Sequence, residues 1–235
     1  MLHFFMPAPS KALARTPVER APLDRKIILG HAFAILNEMG VEGLTLRRLA
    51  ARLGVQAPAL YWHFKSKQDL LDEMATHVFR EALQEAPVFD AGQTWQQWSM
   101  SYCVGLRRTL LRYREGAKMF SGTYLTDASL YAPMDASLRK LTRAGFTLRQ
   151  SVVSVGVLYG YVVGFVIEEQ AVQPDPGEPD PKYNLSHRDA RIDKEKHPLA
   201  HAAGAVMFAD QDVRFLEGVH LIVGGMSASL QSNPG

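Results

Sequence analysis

TLRRLAARLGVQAPALYWHFKSK, from Thr45 to Lys67, decides how the chain is read. Leu46, Leu49, Ala50 and Leu53 recur at the 3.6-residue spacing of one helical face. Gly54 follows where a left-handed residue ends a helix. Pro58 suits the first turn of a second short helix over Ala57 to His63, where its missing N–H leaves nothing unpaired. Ser66, with Asp69 three positions on, reads as the N-cap of a further helix. Helix, tight glycine turn, helix, new helix is the helix-turn-helix pattern, whose second helix enters the major groove of DNA.

The charges agree with that reading. From Leu23 to Lys67 seven Lys/Arg stand against three acids, a net of +4, whereas from Gln68 onward sixteen basic and twenty acidic residues give −4. The basic end suits nucleic acid. Within it Arg47, Gln56, Tyr61, His63 and Lys67 carry groups able to reach DNA, and Ala57, Pro58 and Ala59 permit close approach. Arg47 can donate twice to a guanine edge, Lys65 and Lys67 suit phosphate, and Tyr61 offers phosphate its hydroxyl. Trp62 reads more simply as core of a small three-helix unit.

Working outward, Asp24 can cap a first helix from Arg25 to about Met39, with Ile28, Ala32, Ile35, Leu36 and Met39 inward and Gly40 as its stop. Residues 1–22 lack a basic segment before their apolar patch and are broken by Pro7 and Pro9, so they read as a flexible arm and not a signal peptide. Beyond Lys67 a helix runs through Leu70, Leu71, Met74, His77, Val78 and Ala82 to Glu85, before Pro87. Helical patterns follow from Thr94 to Leu111, Glu115 to Phe120, Ala128 to Arg143, Leu148 to Gln170, Leu199 to Phe208 and Asp212 to Leu230. No run alternates with period two for long enough to be a strand. The expected fold is all-α, with a helix-turn-helix domain at 23–69 and a helical ligand-binding and dimerisation domain at 70–235. Residues 173–198 hold five prolines and little apolar periodicity, and read as a long mobile loop.

The most apolar element carries no charge from Gln150 to Ile167. A membrane span needs roughly 20 apolar residues; this run is shorter and broken by serines and glycines, so a buried helix is expected and no membrane partner. Gly156, Gly160 and Gly164 fall on one face, and Gly218, Gly224 and Gly225 repeat the device in the last helix. Each helical glycine costs about 1 kcal/mol relative to alanine, so close packing should offset it. A homodimer interface through the helices near 148–170 and 212–230 is expected.

Composition narrows the function. At 47% hydrophobic and 21% charged the chain is an ordinary globular one. A single cysteine, Cys103, cannot close an intramolecular disulfide, which fits a reducing, cytoplasmic and nucleoid-associated setting, and its place in a helical pattern reads as packing. No glycine-rich phosphate loop or serine elbow is present, and Glu168 and Glu169 point to different helix faces. His197 and His201 stand four apart, but Pro198 and the loop edge make them a solvated pair. No enzyme, metal or cofactor is expected. Trp95, Trp98, Tyr102, Leu106, Met119, Phe120, Tyr124, Tyr131, Tyr159, Tyr161 and Phe165 supply enough large side chains to line a cavity for a flat lipophilic molecule, beside the polar Thr123 and Glu168. A second domain that only dimerises, with no small molecule, stays open as the alternative.

The stretch from Leu23 to Ala75, notably LNEMGVEGLT, RLAARLGV and LYWHFKSK, closely resembles the DNA-binding domain of the TetR family. Weaker likeness continues through REGAKMFSGT, RAGFTL and GFVIEEQ. The resemblance implies an all-α homodimer with a four-helix bundle at its interface, a ligand cavity, and release of operator DNA on ligand binding. It places base and phosphate contacts on Thr45, Arg47, Ala57, Pro58, Ala59, Tyr61, Trp62, His63 and Lys67. Ala57 and Ala59 stand where family members that bind tetracycline carry polar side chains, so the operator should differ. The magnesium-holding histidine of those members falls on Phe120 and their ring-holding polar residues on Leu83 and Tyr102, while Thr123 and Glu168 remain. A phenyl ring cannot ligate Mg²⁺. The resulting expectation is a repressor of double-stranded operator DNA, released by a lipophilic aromatic inducer other than magnesium-tetracycline. Its ligand-facing set is Leu83, Trp98, Tyr102, Leu106, Phe120, Thr123, Ser137, Val155, Tyr159 and Glu168.

Overall fold

Local capping rules set most helix ends. In the computed structural model, which describes residues 23–85, 92–172 and 181–231, Asp24 accepts the Lys26 N–H at the start of α1 (Arg25–Gly43). Gly40 breaks that helix at φ +70°, a left-handed value that glycine reaches without steric cost. Thr45 caps α2 (Leu46–Leu53) by accepting the Arg48 N–H, and Gly54 ends it at φ +65°. Next comes α3 (Ala57–Tyr61), with Pro58 in its first turn. The long α4 (Lys67–Glu85) starts where Ser66 Oγ accepts the Asp69 N–H at 3.0 Å and Asp69 accepts the Lys65 N–H at 3.0 Å.

The second group of helices is α5 (Trp95–Leu111), α6 (Gly116–Phe120), α7 (Tyr131–Arg143), α8 (Leu148–Val172), α9 (Leu185–Asp189), α10 (Pro198–Met207) and α11 (Gln211–Gln231). No strand occurs among the described residues. Thr94 and Gln97 form a reciprocal cap on α5, and Thr147 and Gln150 do the same for α8. α4, α5, α6 and α8 pack on one another, α7 leans on α8, and α11 closes the far side against α5 and α8.

One continuous apolar core joins the two groups. Leu49, Leu60 and Phe64 fill the space among the first three helices, Met74 and Val78 of α4 extend it, and Trp98, Leu106, Leu158 and Phe215 carry it through the rest. Across α5 and α8 lies a buried ion pair, Arg107 with Glu169, to which the exposed Asp212 of α11 adds a third charge. Arg107 donates to Glu169 at 2.9 and 2.6 Å and to Asp212 at 2.7 Å, with its guanidinium 4.9 Å from the Phe215 ring centre. Truncating one member of a buried pair strands the other charge. Arg107→Ala should therefore destabilise the fold by about 3–5 kcal/mol, visible as a lower denaturant midpoint; an unchanged midpoint would show Glu169 finding water instead.

Several expectations are corrected. Met39 is 47% exposed, because the chain turns away at Gly40, and Leu29 and Phe33 take the inward positions it was assigned. The proposed loop at 173–198 is not loop throughout: a 3-10 turn over Pro181–Tyr183 and α9 occupy its second half, with Asn184 accepting the Ser186 N–H as a cap. The arm at 1–22, the stop at Pro87 and loop residues 173–180 lie outside the described residues. α8 is long and apolar enough to cross a membrane by length and composition, yet only 33% of its most apolar stretch is buried within the chain. Leu158, Val162 and Val166 face inward, while Leu148, Val152, Val153 and Val157 are exposed, so α8 is half-covered and not the buried helix expected.

Candidate functional site

Two places concentrate chemistry: the outer face of α2 and α3, and a cavity among α4 to α8. On the first, Thr45, Arg47, Gln56, Pro58, Tyr61 and Trp62 are exposed, and Ala57, Ala59, His63 and Lys67 are half-buried at its edge. The short α3 presents this face because Leu60 and Phe64 point inward, at 0% and 1% exposure, and fix its depth. Arg25 braces it from behind, donating to the His63 carbonyl at 3.0 Å and stacking over Phe64. Trp62 is 91% exposed, against the reading of it as core. It falls between Leu60 and Phe64 just past the end of α3, on the side turned away from the core. Gln56 starts α3 without a side-chain cap bond, so its amide is free for other partners. Lys67 is differently placed, for its ammonium donates to the Val41 carbonyl at 2.7 Å.

The same Val41 peptide is gripped from the other group of helices. Glu115, at φ +51° the one non-glycine left-handed residue described, accepts the Val41 N–H at 2.6 Å. Its other oxygen meets Lys118 at 3.0 Å. Burial raises the Glu115 pKa, but the Val41 N–H and Lys118 outweigh it and hold the carboxyl below its ordinary value. Arg114 adds a backbone bond to Asn37 and a guanidinium bond to the Glu38 carbonyl. Gly40 is required here, since a Cβ there would lie 2.5 Å from Glu115 Oε2.

Glu115 immediately precedes α6, and the far end of α6 is Phe120, a wall of the cavity. That cavity encloses about 470 Å³. Its rings are Phe79, Trp98, Tyr102, Phe120 and Tyr159, with Phe120 6.4 Å from Phe79 and 6.0 Å from Tyr159 between ring centres, and Trp98 stacked on Tyr102. Leu83, Thr123, Ser137 and Val155 complete the expected residues found in the lining. Lining residues missed from the sequence, such as Phe79, Pro133 and Met134, stand three or four positions from ones that were named, which is the spacing of one helical face.

Two expected residues are elsewhere. Leu106, one turn beyond Tyr102 on α5, is sealed in the core at 1% exposure. Glu168 borders a second cavity, of about 590 Å³, with Tyr161, Phe165 and Phe208. It lies nine residues past Tyr159, two and a half turns along α8, and therefore on the opposite face. Of the other large residues, Tyr124 and Tyr131 are mostly exposed, and Trp95 packs edge-on against Phe146. Cys103 is buried, which pushes its thiol up to about 12.

An exposed helix-turn-helix face joined to a helical domain with a ring-lined cavity defines a DNA-binding regulator with a small-molecule compartment. Residues 28–74 match the bacterial regulatory proteins of the tetR family, and residues 86–230 match the tetracyclin repressor-like C-terminal domain. The chain belongs to the TetR family of transcriptional regulators. It is 37% identical over 207 residues to the class A tetracycline repressor of transposon 1721 from Escherichia coli, covering 87% of this chain and 91% of that one. A crystal structure described as a possible TetR family transcriptional regulator from Streptomyces coelicolor A3(2) superposes with a TM-score of 0.77 at 31% identity, over 88% of this chain and all of the other. The class A tetracycline repressor in complex with 5a,6-anhydrotetracycline and magnesium gives 0.64 at 30% identity, over 88% and 99%.

Proposed function

We propose that the protein is a repressor that binds a near-palindromic operator as a homodimer and releases it when a lipophilic aromatic molecule fills the cavity among α4 to α8. The observation that carries this is the physical continuity from cavity to DNA-reading face: Phe120 in the cavity wall, α6, the Glu115 bond to Val41, and the turn from Gly40 into α2. A ligand acts through it only by binding the two arrangements of that connection unequally.

The dimer uses the bare outer faces of α8 and α11. No atom lies within 4 Å of a Cβ built at Gly160, Gly224 or Gly225, and Val153, Val157 and Leu221 stand exposed on the same two helices, whereas Gly156 and Gly164 border the two cavities. Such an apolar face is stable in water when a second copy covers it. Gly218 is the exception, for it is already packed by Tyr161 of its own chain. Two copies would set their recognition helices about 34–36 Å apart, in successive major grooves. The inducer differs from magnesium-tetracycline because no lining residue offers the carboxylate or imidazole that a bound divalent cation would use.

The test is fluorescence anisotropy on the DNA upstream of the protein's own gene against scrambled DNA, across a salt series. Tight binding to the first alone, weakening steeply with salt, supports the reading, and equal binding to both contradicts it. Trp62→Ala gives a sharper prediction. Its melting midpoint should stay within that of the parent, since an exposed side chain moves stability by about 0.5 kcal/mol or less. Its operator affinity should fall about tenfold, the loss of one good contact.

A further inference from the structure

The cavity's polar groups say more about its occupant than its rings do. No lining residue is charged, and its polar side chains include four hydroxyls, on Tyr102, Thr123, Ser137 and Tyr159. Thr123 already donates to the Phe120 carbonyl at 2.6 Å and Ser137 to the Pro133 carbonyl at 2.9 Å, so toward a ligand these two can only accept. The phenols of Tyr102 and Tyr159 have no hydrogen-bond partner among the described residues, and both are free to donate. Burial first, with the neighbouring Cys103 and Tyr159, pushes Tyr102 upward, and burial does the same to Tyr159, so both remain neutral donors.

Resting on the cavity reading above, we propose that the ligand is an uncharged, fused-ring aromatic ketone or quinone carrying ring hydroxyls, its carbonyl accepting from Tyr102 and Tyr159 and its hydroxyls donating to Thr123 and Ser137. The rings of Trp98, Phe79 and Phe120 then supply the stacking faces. Three unfilled donors, the phenols of Tyr102 and Tyr159 and the buried, unpartnered indole N–H of Trp98, and two waiting acceptors in a wall without charge favour a neutral molecule over an anion, which would lose its water without a counter-charge. They also favour a hydroxylated ketone over a bare hydrocarbon of equal shape.

The experiment is titration calorimetry of the full chain with three probes on one skeleton: a neutral dihydroxyanthraquinone, anthracene, and anthraquinone sulfonate. The neutral quinone should bind at least about tenfold more tightly than either of the others. In the Tyr102→Phe, Tyr159→Phe double variant that advantage over anthracene should vanish while anthracene binds as before, which also reports that the cavity is intact. An advantage that survives both substitutions, or sulfonate binding as tight as the neutral quinone, overturns this ligand class and leaves the ring-binding cavity standing. Failure of all three probes to bind overturns the cavity reading itself.

Discussion

Gly160→Leu should leave the protomer at least as stable as before and abolish the dimer. Nothing lies within 4 Å of a Cβ at Gly160, so within one chain the new side chain projects into open space. It also removes a helical glycine, which is worth about 0.5–1 kcal/mol in favour of the fold. Across the proposed two-fold interface, where glycines would let backbones approach, the same leucine would have no room. Operator affinity should drop with the dimer, because a half-site held alone loses the avidity of two linked contacts, about 10²–10⁴-fold. Sedimentation and melting measured together decide the matter. A variant that stays dimeric shows that α8 is not at the interface. Leu221→Glu, on a residue 78% exposed on α11, supplies a second disruption with no demand on the helix backbone.

Glu115→Ala is expected to leave both ligands bound and stop them from sensing each other. The substitution removes a charge-assisted bond from the Val41 N–H, worth about 1.5–3 kcal/mol. Coupling between an effector and DNA is typically 1–3 kcal/mol, so one bond of this size can carry most of it. Ligand-driven loss of operator affinity should shrink to within about fivefold, while each separate affinity changes little. Linkage requires the reverse measurement to agree: operator DNA should weaken ligand binding by the same reduced factor. Release as complete as in the parent would mean that the connection runs through α4 instead. The contact is also stable to pH. Glu115 has a folded-state pKa below its ordinary value, so its contribution is full above the ordinary carboxylate range and is lost only as pH falls through the depressed value. Near neutrality the Glu115–Val41 bond is therefore insensitive to pH.

The sequence exposes whatever is set locally. Asp24, Gly54 and Ser66 each mark a helix end within their own few residues, and the structure puts caps or stops at all three. The cavity was half legible, because residues four apart on one helix share a wall, as Trp98 with Tyr102 and Val155 with Tyr159 do. Which face of α8 meets the cavity was not legible, since apolar residues surround that helix, and Glu168 was accordingly placed on the wrong side. Trp62 misled for a related reason. A large ring is usually buried, and only the inward commitment of Leu60 and Phe64 shows that this one cannot be. The Glu115–Val41 bond spans 74 positions, and no local pattern encodes it.

The chain has three tryptophans, and their placement makes it its own optical instrument. Trp62 is bathed in solvent and should emit at long wavelength, open to collisional quenching by iodide until another molecule shields it. Trp95 and Trp98 are buried, should emit further to the blue, and are screened from iodide, yet Trp98 forms part of the cavity wall, where a coloured ligand would drain its excitation. Two titrations followed at two wavelengths could thus report on the two compartments of one unlabelled protein in the same cuvette.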